Sequence, residues 1–164
     1  MAKPSRNANP DAILNPTRTF FATAKASMGR RLLQSERNAT LLIDVLRSCV
    51  AERKFEVHDF VIMPDHIHML ITINADGTIE RAMQLIKGRF SYRLRKEFGY
   101  QGEVWQRGYS EAQADSTQTF SSYQQYIAQN PVKAGLADSP SQYPYCYTHL
   151  AQKKKQDSKQ KRKA

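Results

Sequence analysis

The run Phe60–Ile73, FVIMPDHIHMLITI, decides how this chain folds. Two stretches of β-favouring residues flank Pro64 and Asp65, a pair with turn chemistry, so the run reads as a hairpin whose second strand opens at His66. Alternate residues of a strand share a face. Ile67, Met69, Ile71 and Ile73 therefore make an apolar stripe, while His66, His68 and Thr72 lie on the opposite side. The stripe is expected to bury and the other face to carry chemistry. Two imidazoles side by side on one strand face are spaced to grip a single metal ion. Taken alone, a strand histidine is more often structural than ligating, and the rest of the chain must decide.

Working outward, Phe55–Met63 is the first strand of the hairpin. Before it, Ala39, Leu42, Ile43, Leu46 and Val50 recur at helical spacing from Ser35, a plausible N-cap, to about Glu52. Arg18–Thr23, rich in aromatic and branched residues, reads as an earlier strand. On the other side Gly77 closes the hairpin and Thr78 caps a long helix. Its stripe is Ile79, Met83, Ile86, Phe90, Leu94 and Phe98, and it ends before Gly99. Val104–Gln113 is expected as a fourth strand, weakened by Gly108. A last helix is expected from Asp115 and Ser116 to Asn130, where Pro131 stops it.

The order β-α-β-β-α-β plus one helix is the split βαβ, ferredoxin-like arrangement. The fold class is thus α+β: an antiparallel sheet with two crossover helices on one face and the extra C-terminal helix free to lie on the other. With 164 residues, 40% of them apolar, the chain suits one domain. Residues 1–17 read as a polar arm, 18–150 as the folded domain and 151–164 as a basic tail.

The net charge of +10 is unevenly spread. Lys153, Lys154, Lys155, Lys159, Lys161, Arg162 and Lys163 against the single Asp157 contribute +6 of it, leaving +4 for the rest. A tail without apolar residues is expected to be disordered; attraction to phosphates is its simplest use, and a solubilising role fits the composition equally. Inside the domain, Lys87, Arg89, Arg93, Arg95 and Lys96 fall on one predicted helix, either a nucleic-acid grip or a solvated face. Two cysteines, Cys49 and Cys146, make no disulfide framework and suggest a reducing compartment. With no signal-peptide pattern and no membrane-length apolar run, a cytoplasmic protein with no membrane partner is expected.

The last predicted helix carries Tyr126 and Asn130 four residues apart, hence on one helical face. If it docks across the histidine face, His66, His68 and Asn130 converge with Tyr126 beside them. On its own, Tyr126 reads more readily as an ordinary half-buried aromatic than as a nucleophile.

Three segments taken together, Pro64–Met69 (PDHIHM), Trp105–Tyr109 (WQRGY) and Tyr126–Leu136 (YIAQNPVKAGL), resemble the single-tyrosine transposases of the HUH endonuclease superfamily, and within it the REP-associated tyrosine transposases of bacteria. The resemblance covers roughly residues 16–140. It implies that Tyr126 is the nucleophile, that His66 and His68 ligate Mg²⁺ or Mn²⁺, and that Asn130 completes the ligand set. Gln129 is a rival third ligand, and Tyr123 is a rival tyrosine without a ligand four residues on. Single-stranded DNA with nearby hairpins is the implied substrate, and strand cleavage and transfer through a 5′-phosphotyrosine the implied reaction. The helical cations and Arg107 would hold phosphates, while Tyr92 or Trp105 would stack bases or simply pack in the core. The resemblance weakens between Tyr109 and Phe120, where Glu111 has no assigned role. It favours a monomer and leaves a homodimer open. The alternative is a non-catalytic single-stranded nucleic-acid-binding module, against which the third strand carries histidines rather than base-stacking aromatics.

Overall fold

The structure, a computed structural model, describes residues 18–163. The polar arm expected over residues 1–17 lies outside the described residues. Along the chain run β1 (Arg18–Lys25), α1 (Glu36–Ala51), β2 (Glu56–Met63), β3 (His66–Ile73), α2 (Ile79–Phe98), β4 (Ser110–Gln113), α3 (Thr117–Lys133) and α4 (Tyr147–Lys163).

The helix boundaries follow local chemistry. Side chains of Ser35, Thr78 and Ser116 accept the backbone N–H of Asn38, Arg81 and Thr119 and so cap α1, α2 and α3, each contributing about 1 kcal/mol. Helix α2 ends at Gly99, whose φ of 65° suits a residue without a side chain.

The strands form one antiparallel sheet in the order β2-β3-β1-β4, the order of the split βαβ arrangement. The α+β, ferredoxin-like expectation holds. Strand β3 pairs with β1 from Lys25 opposite His66 to Arg18 opposite Ile73. Its odd-numbered residues, with Ala22, Ala24, Phe60 and Ile62, pack under α1 and α2 as the main core. The opposite face is not left wholly to chemistry. Leu70, Val61 and Met63 meet Ile127 of α3 and Tyr143 and Cys146 of the segment after it in a second, smaller core. The reason is that α3 has an apolar stripe of its own to bury.

Three expectations need correction. The fourth strand is only Ser110–Gln113, because Gly108 adopts a φ of 78° and residues before it leave the ladder except for a bridge of Trp105 to Ala26. Pro131 does not stop α3, which runs on to Lys133. A proline this near a helix end forfeits a single backbone bond. The helix closes instead through Leu136 N–H to Pro131 C=O and Gly135 N–H to Val132 C=O, with Gly135 at a φ of 73°. The basic tail is helical rather than disordered: α4 starts at Tyr147, whose ring meets Phe60, and runs through residues with strong helix propensity and no breaker. None of its residues is buried. Among the described residues, no helix is long and apolar enough to cross a membrane.

Candidate active site

His66 and His68 open β3 on the face covered by α3, where β1 supplies Thr23 and Lys25 from the neighbouring ladder. The two Nε2 atoms stand 3.1 Å apart, with ring centroids 4.6 Å apart and planes at 74°. Each Nδ1 is engaged on the far side of its ring: that of His66 with Asp65 Oδ1 at 2.6 Å, and that of His68 with Thr23 Oγ1 at 2.7 Å. Both rings are thereby fixed with their Nε2 atoms turned toward one point. His68 and Thr23 are buried. Burial first, then the charges of His66 and Lys25, push the His68 pKa down to about 4, so its ring is uncharged at neutral pH.

These donors fit a divalent cation. Two ligand atoms at right angles on an octahedral ion with bonds of about 2.1 Å stand about 3.0 Å apart. The Nε2 separation matches that spacing, and partners on the outer nitrogens are what orient metal-binding histidines. Among the described residues no group of three His, Cys, Asp or Glu gathers, so a third ligand here would have to be of another kind.

Helix α3 delivers the phenol. The Tyr126 ring lies 5.3 Å from the His68 ring at 69° and remains half-exposed. Tyr123, the rival, lies flat on Phe21 at 4.5 Å and 2°. Tyr126 thus reaches the histidine pair while Tyr123 packs. Asn130 follows Tyr126 by one turn of α3 and is half-buried, whereas Gln129 is exposed. Among the described residues no hydrogen bond joins the Asn130 side chain to either histidine.

The structure scatters the six candidate DNA-binding cations. Five belong to α2, which covers the sheet face opposite the histidines. Lys87 Nζ donates to the carbonyls of Gln106 and Gly108, Arg89 pairs with Glu52, Arg93 with Glu97, and Arg95 donates to the Gly102 carbonyl. Lys96 sits 5.4 Å from the ring of exposed Tyr92. Arg107 differs. It is exposed and follows Gln106, whose N–H donates to the carbonyl of Lys25, the residue opposite His66. Trp105 packs against Phe90 and donates its Nε1–H to the Lys87 carbonyl, the core reading of that residue. Glu111 pairs with Ala22 and so points away from the histidine face.

Sequence reasoning missed Thr23 and Lys25, passed over Phe21, and read Asp65 only as a turn residue. Strand alternation groups Phe21, Thr23 and Lys25 on one face of β1, but nothing local says that this face meets the histidines.

The chain is thus a ferredoxin-like domain that sets a His-x-His pair and a tyrosine helix on the sheet face away from the crossover helices. The model of the family described as IS200-like transposases matches residues 26–130, a span holding both histidines, Tyr126 and Asn130, and the chain belongs to that family. The resemblance read from the three motifs is borne out by curated relatives. The REP-associated tyrosine transposase of Escherichia coli (strain K12) is 26% identical over 99 residues, 60% of this chain and 57% of that protein. A Haemophilus influenzae protein provisionally assigned to the same class is 28% identical over 105 residues, 58% of this chain and 60% of its own length. The chain thus matches less than two thirds of the length of either relative. A solved structure of a REP-associated tyrosine transposase bound to a REP hairpin superposes with a TM-score of 0.64 at 26% identity, covering 81% of this chain and 78% of that one.

Proposed function

We propose that this chain cleaves and rejoins single-stranded DNA next to hairpins, with Tyr126 as nucleophile and a divalent cation at His66 and His68. The observation that carries the reading is the half-exposed Tyr126 ring 5.3 Å from His68. The family adds to it, as does the hairpin bound by the similar structure. Because Tyr126 and the histidines of the same chain already adjoin, a monomer acting on its own tyrosine is the assembly proposed.

Mg²⁺ or Mn²⁺ held by the two Nε2 atoms and the Asn130 side chain would supply Lewis acidity to a non-bridging phosphate oxygen. The chain's residues do the rest. Tyr126 Oη attacks phosphorus, the P–O3′ bond breaks, and the phenolic proton ends on the departing 3′ oxygen. The 5′ phosphate stays on Tyr126 as an ester of similar energy, so a second 3′ hydroxyl can reverse the step on another end without ATP. Lys25, exposed opposite His66 and near enough for its charge to act on His68, is the cation best sited for phosphates at the reaction centre, with Arg107 next along from Gln106, whose N–H donates to the Lys25 carbonyl. Arg89, Arg93, Arg95 and Lys96 of α2 are left to DNA that extends beyond it, and Lys87 to bracing the loop before β4.

The test is incubation with hairpin-bearing single-stranded DNA labelled at its 3′ end, in Mn²⁺. A labelled adduct that survives denaturation is expected from the natural chain, and its loss from Tyr126→Phe. Cleavage by the Phe variant at the natural rate overturns the tyrosine reading, and binding without cleavage by the natural chain makes the protein a non-catalytic module.

A further inference from the structure

We propose that Thr23 is the positioning residue that lets His68 become a cation ligand by exchanging its hydrogen-bond role: its hydroxyl donates to His68 Nδ1 in the metal-free pair and accepts from it in the loaded one. This rests on the metal reading above and adds the proton inventory that reading leaves open.

With both rings uncharged, the inventory follows from the partners. A carboxylate only accepts, so His66 Nδ1, 2.6 Å from Asp65 Oδ1, carries a proton. An uncharged His66 ring then has a bare lone pair on Nε2. That lone pair faces His68 Nε2 at 3.1 Å. Two lone pairs at this distance repel, so in the metal-free site His68 carries its proton on Nε2 and donates it to His66. His68 Nδ1 is then bare, and Thr23 Oγ1 at 2.7 Å must be its donor.

A cation requires the reverse at His68. Both Nε2 atoms must offer lone pairs, so the N–H bond at His68 Nε2 breaks and one forms at Nδ1, with water carrying the proton between them. The ring stays uncharged and no proton is released. Thr23 Oγ1 now has to accept.

A hydroxyl can play both parts by rotating about its C–O bond. A methyl group can play neither. The two ligands are therefore unequal: Asp65 fixes one tautomer of His66, while Thr23 serves either tautomer of His68.

The inference is tested with the full chain at pH 8 by ¹⁵N chemical shifts of the histidine rings. In EDTA, His68 is expected as the Nε2–H tautomer and His66 as Nδ1–H; saturating Mg²⁺ is expected to move His68 to Nδ1–H. Thr23→Val, close in shape, is expected to lose about 10–100-fold in Mn²⁺ affinity, with Thr23→Ser restoring it. His68 found as Nδ1–H in EDTA overturns the inference, and this reading needs no variant. Mn²⁺ bound as tightly by a folded Thr23→Val as by the natural chain overturns the role of Thr23 and leaves the metal reading intact. Failure of the natural chain to bind Mn²⁺ or Mg²⁺ overturns the metal reading itself.

Discussion

Phe21 and Tyr123 lie face to face, ring centroids 4.5 Å apart and planes 2° from parallel, and this stack seats α3 on the sheet. The same Phe21 ring also stands 5.3 Å from His68 and 5.7 Å from Tyr126. One side chain of β1 therefore sets the height of the tyrosine helix above the histidines. Phe21→Ala is expected to lower stability by about 2–4 kcal/mol and to slow adduct formation by about tenfold or more, since small misplacements of a reacting group cost heavily. Mn²⁺ affinity should hold, because Asp65 and Thr23 still orient the two rings. Denaturant unfolding, adduct rates and metal titration separate these effects.

Asp59 faces the second core, opposite Leu70, and accepts the N–H of Phe60 at 2.9 Å. Burial pushes its pKa up from 3.8 to about 6, the hydrogen bond opposing. The folded chain holds this proton after the unfolded chain has lost it, so the Asp59 contribution to stability falls as pH rises from about 4 to about 6 and then levels off. At about 1.4 kcal/mol per pKa unit the loss is about 3 kcal/mol. Asp59→Asn is expected to flatten this part of the pH profile and to raise the melting temperature at pH 8, as thermal melts across pH 4–8 would show.

Lys87 joins α2 to the loop before β4. Its Nζ donates to Gln106 and Gly108 carbonyls at 3.1 and 2.7 Å, while its own carbonyl accepts the Trp105 indole N–H. Burial lowers its pKa. Lys87→Met removes two hydrogen bonds to exposed carbonyls that water can then reach, a cost of about 1 kcal/mol. The expected result is a lower melting temperature with single-stranded DNA affinity little changed; a large affinity loss at unchanged stability would refute the structural role.

Arg107 makes the contrasting prediction. Arg107→Gln is expected to leave stability within about 0.5 kcal/mol, as for exposed side chains generally. It should weaken single-stranded DNA binding and reduce the slope of log K against log salt by about 0.7, the value of one lost phosphate contact. Titrations at several salt concentrations read this directly.

Much of the fold is legible in the sequence because its signals are local. Ser35, Thr78 and Gly99 mark helix ends through their own backbone and side-chain chemistry, and the apolar stripes of α1 and α2 announce which face buries. Pro131 misled for the same reason: a local rule stops the helix, but closure by Gly135 and Leu136 one turn later lets it continue. The basic run of α2 is legible as charge but not as contacts, because composition does not report partners. Glu52, Glu97 and the carbonyls of the loop before β4 meet those cations only once the chain is folded.

By itself the sequence determined the element order as far as α3, the common face of His66 and His68, and the common face of Tyr126 and Asn130, since each follows from the period of one strand or one helix. Tertiary structure alone decided that Tyr126 rather than Tyr123 reaches His68, and that Thr23 answers its Nδ1. Those pairings join residues 45 positions apart or more across strand register and helix docking. They are fixed by how two cores close on opposite faces of one sheet, which no local period encodes.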